Sequence, residues 1–238
     1  MLYAILNNRK VEATPKSRAN CPLCDMEVFS KCGDINIWHW SHKKHQSCDY
    51  WFEPETLWHK NWKEVFGMER SEVILTKDGN KHFADILTET GVVIELQNTP
   101  IQAQTIKQRE FFYGEKMLWI INGAPFKINF STYNEEFNRD WMPLKKGFIN
   151  VYSGKFVDQL PITKSKNTIF RWSRPRRNLE AVRNPIFIDF GDESLFYIKD
   201  GIGKETGSGL YISKMSFIKK YKGDISKIHL LFDDNIIR

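Results

Sequence analysis

The chain has 238 residues, carries a formal net charge of +6 and is 41% hydrophobic. This composition is typical of a globular protein with a substantial core and excludes a disordered chain. No apolar run approaches the roughly 20 residues of a transmembrane helix, and the first residues lack the pattern of a cleaved signal peptide. We therefore expect a cytoplasmic protein without a membrane partner. Its moderate basicity permits nucleic-acid binding and also suits an ordinary basic protein.

Residues 1–52 are predicted to form a small zinc-binding lobe that begins with a short strand, Leu2 to Leu6. All four cysteines of the chain lie in this segment. In a reducing compartment, clustered cysteines bind metal more often than they form disulfides. The alternative is an aromatic-packed lobe in which the cysteines are incidental.

Two short sequence pairs supply the zinc ligands. "CPLC" and "HWSH" each place two ligand side chains close together along the chain, and two such pairs complete the tetrahedron of a structural zinc site. The predicted ligands are Cys21, Cys24, His39 and His42. Cys48 or His45 could replace one of the histidines, whereas Cys32 fits the spacing worst.

Residues 53–123 are predicted to contain, in order, a helix, three strands, a helix and a strand. The first helix is expected over 53–67, with acidic residues and a proline in its first turn and a glycine at its end. "ETG" is a hairpin signal between the second and third strands. Thr99 and Pro100 suit the start of the second helix. The predicted strands cover 72–77, 82–88, 92–97 and 117–122.

The predicted hairpin places two carboxylates in strands that otherwise read as buried. Alternate strand residues share a face, so Glu95 lies with Gln97, while Ile94 and Leu96 belong to the core face. Hairpin pairing can bring Asp85 beside Glu95. Neighbouring carboxylates repel each other unless a cation lies between them, and oxygen ligands favour Mg²⁺ or Mn²⁺. The sequence thus predicts a divalent metal site on Asp85 and Glu95.

The first predicted helix carries a polar stripe. Glu55, His59 and Lys63 are four residues apart and share one side of a helix. Taken alone, this stripe reads as a solvated face. Beside the two strand carboxylates, it becomes a candidate wall of the same metal site.

Residues 124–238 are predicted to be β-rich, because short aromatic and β-branched segments such as "FINVYSGKFV" and "PIFIDFGDESLFYI" are broken by Gly, Pro and Asp. Arginines interleaved with Trp172 suit phosphates and stacked bases. The predicted substrate-binding residues here are Arg171, Arg174, Arg176 and Arg177. A second basic cluster contains Lys214, Lys219, Lys220 and Lys222. A solvated basic surface is an equal alternative for these residues.

The segments "CPLC…HWSH", "ETLWHKNWK", "FADIL…VIELQNTPI", "QREFFY" and "MLWII" resemble the competence protein CoiA-like family and stand in that family's order. The family belongs to the PD-(D/E)XK nuclease superfamily, and the resemblance covers roughly residues 20–125. It implies an α/β (α+β) fold with a restriction-endonuclease-like core. This core would lie between the N-terminal zinc-binding lobe and the β-rich C-terminal region.

The resemblance also implies roles for individual residues. Glu55, Asp85 and Glu95 would serve the metal, and Gln97 stands where the wider superfamily has a lysine, whose task Lys63 could take from the helix. His59 and Lys63 match the helical His and Lys of the family. The Arg and Tyr of its second helix correspond to Arg109 and Tyr113, which would bind substrate. A salt bridge to Glu110 or Glu55 is the alternative for Arg109.

These features together favour a DNA-hydrolysing nuclease with a structural Zn and a catalytic Mg or Mn. Two other classes stay open: a catalytically inactive nuclease-fold DNA-binding protein, and an adaptor that uses the zinc lobe on a protein partner. A homo-oligomer is compatible with each. The sequence does not distinguish single-stranded from double-stranded DNA.

Overall fold

The computed structural model describes residues 1–43, 48–51, 53–134 and 167–232. The fold is mixed α/β and consists mostly of strands, which confirms the predicted class. The chain forms two compact units: unit 1 comprises Met1–Glu95 with Tyr221–Arg238, and unit 2 comprises Leu96–Lys220. In the described parts of both units, no helix is long and apolar enough to cross a membrane. The division into 1–52, 53–123 and 124–238 stays a prediction.

The N-terminal lobe of unit 1 is a five-stranded antiparallel sheet with the strand order β2-β1-β3-β4-β5. Ala4, Val28 and Trp40 form its buried centre, and the Trp40 indole N–H donates to the Val11 carbonyl at 3.1 Å. Most of these strands are too short to show a clear alternation, which is why the sequence predicted only the first. The strands are β1 Tyr3–Leu6, β2 Arg9–Glu12, β3 Arg18–Asn20, β4 Glu27–Lys31 and β5 His39–His42.

Helix α1 spans Leu57–Phe66 and begins later than predicted. Thr56 is the N-cap: it has extended backbone, and its hydroxyl accepts a hydrogen bond from the His59 amide. The His59 ring accepts in return from the Thr56 amide, which completes a capping box. The prediction that Glu55 lies in the first helical turn is therefore wrong. Gly67 ends the helix with a φ of 85°, as its position predicted.

Three antiparallel strands follow α1, and their order confirms the predicted succession of a helix and three strands. They are β6 Ser71–Lys77, β7 Asn80–Leu87 and β8 Val93–Gln97. Strand β7 alternates between buried and half-buried residues, as expected for a sheet with one core face. Every residue of β8 is buried, so the face of Glu95 is covered as well as the apolar face.

Unit 2 contains the second predicted helix, the strand after it, and a β-rich region. Helix α2 begins at Ala103 with Gln102 at its N-cap position, so the prediction that Thr99 caps it and Pro100 is its first residue is wrong. The strand order is β10-β11-β14-β13-β12-β9, in which β12 runs parallel to β9 and the other neighbours are antiparallel. The segment "FINVYSGKFV" lies outside the described residues. The elements are α2 Ala103–Tyr113, β9 Met117–Asn122, β10 Phe130–Asn134, β11 Thr168–Trp172, β12 Ile186–Asp189, β13 Ser194–Asp200, β14 Thr206–Ser213 and α3 Lys214–Lys220.

A buried ion pair supports the β-rich part of unit 2. The Lys214 ammonium lies 2.8 Å from Asp189 Oδ1, and both side chains are fully buried. Asp189 also accepts a hydrogen bond from the Gly191 amide at 2.9 Å. Lys214 is therefore not part of a solvated basic cluster, although its lysine-rich surroundings in the sequence suggested one.

We expect Lys214→Met to lower the free energy of unfolding by about 3–5 kcal/mol, because it leaves the Asp189 carboxylate buried without its cation. Lys219→Met removes the same charge from the exposed side of α3 and should change stability by less than about 0.5 kcal/mol. Urea unfolding of the two variants checks this difference. Equal stabilities would contradict the structural role of the pair.

Candidate functional site

Four potential zinc ligands meet in the N-terminal lobe: Cys21, Cys24, His42 and Cys48, whose ligand atoms all lie within 4.8 Å of one another. Cys21 Sγ is 3.6 Å from Cys48 Sγ, and Cys24 Sγ is 3.3 Å from His42 Nε2. With Zn–S and Zn–N bonds of about 2.3 and 2.0 Å, ligand atoms of a tetrahedral site are separated by roughly 3.5–3.8 Å. This Cys₃His set therefore fits a structural zinc ion.

The fourth ligand is Cys48, one of the two replacements that the sequence allowed. "HWSH" forms strand β5, and residues three apart in a strand point to opposite faces. His42 reaches the cluster, whereas His39 Nδ1 lies 2.9 Å from the Ile37 carbonyl oxygen and is not part of it. Cys32 packs against the lobe core, and His45 lies outside the described residues.

The electrostatics of the cluster agree with metal binding. Burial raises the pKa of the Cys21 thiol, and burial together with the nearby Cys21 sulfur raises that of Cys48. A bound divalent cation reverses this effect because it stabilises thiolates. Burial lowers the pKa of His42, which favours the neutral imidazole that metals bind.

A second cluster, the Lys63 cluster, consists of Lys63 with Glu55, Glu72 and Asp85. Lys63 Nζ lies 2.7 Å from Glu55 Oε1, 3.1 Å from Glu72 Oε1 and 3.2 Å from Asp85 Oδ1. The predicted neighbourhood of Glu55, Lys63 and Asp85 is thus present. Lys63 is fully buried in an ion-pair network, which departs from the alternative of a solvated helix face.

Glu72 is the member of this cluster that sequence reasoning missed. Its carboxylate accepts hydrogen bonds from the backbone amides of Leu2 at 2.7 Å and Tyr3 at 3.1 Å. The register of β6 and β7, with Ser71 opposite Ile86 and Val73 opposite Ala84, places Glu72 opposite Asp85. No pattern in the sequence around Glu72 predicts these contacts, because the amide donors precede it by about 70 residues.

Asp85 and Glu95 are neighbours across strands β7 and β8, as the hairpin predicted. The Asp85 amide lies 3.4 Å from Glu95 Oε1, and Ile86 pairs with Ile94 in the adjoining register position. Glu95 is buried, whereas the Asp85 side chain is 22% exposed. Asp85 is therefore the carboxylate of the group that solvent and small ions reach most easily.

Charge in the Lys63 cluster is divided unequally among its members. Burial alone would lower the pKa of Lys63, but Glu55, Glu72 and Asp85 together raise it, so the amine stays protonated. Burial would raise the pKa of Glu72, but Lys63, the Met1 ammonium, the Glu55 side chain and the Leu2 amide outweigh this and lower it. Burial raises the pKa of Glu55, and nearby Glu72 adds to this rise against the opposing effect of Lys63. Of these two carboxyls, Glu55 is therefore the one that holds a proton more readily.

His59 caps the N-terminus of helix α1 and is not part of the Lys63 cluster. Its Nδ1 lies 2.9 Å from the Thr56 hydroxyl and 3.3 Å from the Thr56 amide. Its Nε2 is 3.5 Å from Glu53 Oε2. Capping of α1 is therefore a structural alternative to the predicted catalytic role of His59.

A further tie joins the end of the zinc lobe to strand β7. Asp49 Oδ1 lies 3.0 Å from His82 Nδ1, and its Oδ2 accepts from the Phe83 amide at 3.0 Å. Trp51 stacks on the His82 ring with centroids 3.4 Å apart. Asp49 directly follows the zinc ligand Cys48, so this contact links the metal cluster to the strand that carries Asp85.

The remaining predicted site residues belong to unit 2. The Gln97 amide donates to the Thr99 carbonyl at 3.0 Å. Arg109 is buried with its guanidinium 5.9 Å from the Trp119 ring centre, and Tyr113 is half-buried at the end of α2. Arg171 and Arg174 are exposed, whereas Arg176 and Arg177 line a cavity.

We expect purified protein to contain one zinc ion per chain, and Cys48→Ser to lose it together with thermal stability, since a structural zinc contributes directly to folding. Cys32→Ser is the matched control and should retain the metal, because Cys32 is not in the cluster. Metal analysis and melting curves test both variants. A wild-type protein without zinc and with four freely titratable thiols would contradict the assignment.

The lowered pKa of Glu72 predicts an acid-sensitive stability. Because the folded value lies below the ordinary 4.5, its contribution is complete above that pH and is lost as the pH falls towards about 2. At pH 7 we expect Glu72→Gln to cost about 3 kcal/mol. This difference from wild type should shrink steadily below pH 4.5 in pH-dependent urea unfolding. Glu69→Gln, at an exposed position, should follow wild type throughout; a constant penalty for Glu72→Gln would contradict the assignment.

Comparison with known proteins finds a match for the N-terminal part of the chain. Residues 5–51 match the family model described as "Competence protein CoiA, N-terminal domain". No curated protein and no solved structure matches the chain. The matched segment contains all four members of the Cys₃His cluster. Residues 5–51 are thus similar to the N-terminal domain of the competence protein CoiA.

Proposed function

We propose that this chain is a metal-dependent nuclease of the PD-(D/E)XK type that hydrolyses DNA phosphodiester bonds in a competence-related process. The observation that carries the proposal is the meeting of Asp85 and Glu95 on adjacent strands beside the Lys63 cluster. The order of α1, three strands, α2 and β9 supports it, because the resemblance to CoiA-like nucleases implies that order.

The donor atoms of these residues suit a divalent cation. Glu55, Glu72 and Asp85 contact Lys63, and Glu95 lies next to Asp85 on the adjacent strand. Carboxylate oxygens are the ligands that Mg²⁺ or Mn²⁺ prefers, and Asp85 and Glu95 would hold the ion.

Bound at these carboxylates, such a cation would act as a Lewis acid and lower the pKa of a water molecule. Lys63 has a raised pKa and stays protonated, so it would act as a fixed positive charge beside Asp85 and not as a base. The Gln97 amide has no charge to offer in its place. In the wider superfamily a lysine stands where this chain has Gln97. Lys63 is our candidate for supplying that positive charge here.

A catalytically inactive DNA-binding protein is the second candidate, and a specific contact favours it. Lys63 already lies 3.2 Å from Asp85, so it neutralises part of the charge that a metal would require. In that case the Lys63 cluster would be structural, and nucleic acid would bind without being cut.

We expect Mn²⁺-dependent cleavage of DNA by the zinc-loaded chain, reduced about a thousandfold or more in Asp85→Asn and in Glu95→Gln, because a metal-bound phosphoryl-transfer site contributes several kcal/mol. Asp78→Asn is the control: it removes an exposed carboxylate from the β6–β7 turn and should cleave at the wild-type rate. Melting temperatures establish that each variant is folded.

The remaining outcomes separate the function classes. Wild-type rates in Asp85→Asn or Glu95→Gln would show that these residues do not catalyse cleavage. Salt-sensitive DNA binding without cleavage by the wild type would support the inactive nuclease fold. Absence of both binding and cleavage would favour an adaptor that binds a protein partner through the zinc lobe.

A further inference from the structure

Unit 2 contains a cavity of about 280 Å³. Of the proposed catalytic residues, Gln97 alone lines it. Pro100 and Ile101, which follow strand β8, form one wall. The opposite wall comes from the turn after β11 and includes Arg176, Arg177 and Leu179. Its volume lies just below the range for drug-sized ligands, roughly 300–1,000 Å³, and so suits a smaller group.

Hydrogen bonds and ring contacts hold this cavity in shape. The Asn178 side-chain amide donates to the Ile101 carbonyl at 3.0 Å and so joins the two walls. The Arg176 guanidinium lies 4.7 Å from the Phe126 ring centre, and Phe126 in turn stacks on Trp172. The Arg176 cation is therefore held in place before any ligand arrives.

The lining divides into an apolar part and a cationic part. Pro100, Ile101, Pro175 and Leu179 present apolar surface. Arg177 is at the cationic side, with a side chain that is 79% exposed and a Glu205 carboxylate 4.0 Å away. Such an exposed, long ion pair is weak, so an anionic ligand can replace Glu205 as the partner of Arg177. A ligand with a flat apolar group and a phosphate matches both parts.

We propose that this cavity binds one unpaired nucleotide of a single-stranded nucleic acid, with the base or sugar on the apolar walls and the phosphate at Arg176 and Arg177. The proposal rests on the proposed function for its ligand class, since DNA is the substrate named there. A cavity of this size excludes a duplex, whose bases are stacked and paired, whereas a single unpaired nucleotide can enter it. The site thus selects single strands over duplex DNA.

The test measures binding without cleavage. Fluorescence anisotropy of labelled octathymidylate and of a hairpin duplex with the same number of phosphates is recorded with the zinc-loaded chain, without added Mg²⁺ or Mn²⁺. We expect at least tenfold tighter binding of the single strand. Arg177→Gln should weaken it fivefold or more, and Thr99→Trp, which fills the cavity without changing charge, should do the same. Lys116→Gln removes an exposed charge elsewhere in unit 2 and should change binding less than twofold.

Other results overturn the proposal. Equal affinity for duplex and single strand, or equal effects of Arg177→Gln and Lys116→Gln, would mean that the arginines form a diffuse basic surface. Thymidine monophosphate that competes as well as the octanucleotide would indicate a free-nucleotide site. Single-strand preference that depends on Arg177 but is not accompanied by Mn²⁺-dependent cleavage would leave this site standing and refute the proposed nuclease. Mn²⁺-dependent cleavage of single-stranded DNA at equal rates by wild type and Thr99→Trp would refute this site and leave the proposed nuclease standing.

Discussion

The ammonium of Lys63 holds unit 1 together at its acidic centre. It contacts carboxylates that come from the segment before α1, from β6 and from β7, so one cation joins three parts of the chain. Glu72 extends this network to the amides of Leu2 and Tyr3 in the N-terminal lobe. Buried charges are tolerated only where partners and hydrogen bonds satisfy them. Each of these elements therefore depends on the others for the electrostatic balance of the centre.

The zinc lobe has two separate ties to the strands that carry the candidate metal ligands. One tie is the pair of amides on Glu72, and the other is Asp49, which binds the His82 ring and the Phe83 amide next to Cys48. Asp49 follows Cys48 directly and binds the Phe83 amide, so a change in zinc ligation at Cys48 would shift β7 at Phe83. Phe83 and Asp85 lie on the same side of β7, two residues apart. The lobe thus supports the candidate site in addition to carrying its own candidate zinc cluster.

Local sequence patterns predicted those features that depend on neighbours along the chain. The alternation in β7 and β8 and the short turn between them were sufficient to bring Asp85 beside Glu95. Contacts between distant segments were not accessible in this way. Glu72 has a positive φ of 49° and accepts hydrogen bonds from the amides of Leu2 and Tyr3. No pattern in the neighbouring sequence predicts either property. The prediction of His39 as a zinc ligand was wrong for a different reason. "HWSH" forms a strand, in which the two histidines point to opposite faces, whereas a turn would have brought them together.

Unit 1 is discontinuous in the chain, because residues after unit 2 return to helix α1. The Asp224 amide donates to the Val65 carbonyl at 2.7 Å, and the Asn61 side chain donates to the Leu230 carbonyl at 2.6 Å. On the ribosome, where segments emerge in order, unit 2 is therefore complete before α1 receives these contacts. When only residues 1–220 have left the ribosome, every residue that lines the cavity of unit 2 is present, while α1, which carries Lys63, still lacks these two hydrogen bonds. The packing of the helix that carries Lys63 is therefore completed late in synthesis, by residues that take no part in the candidate chemistry.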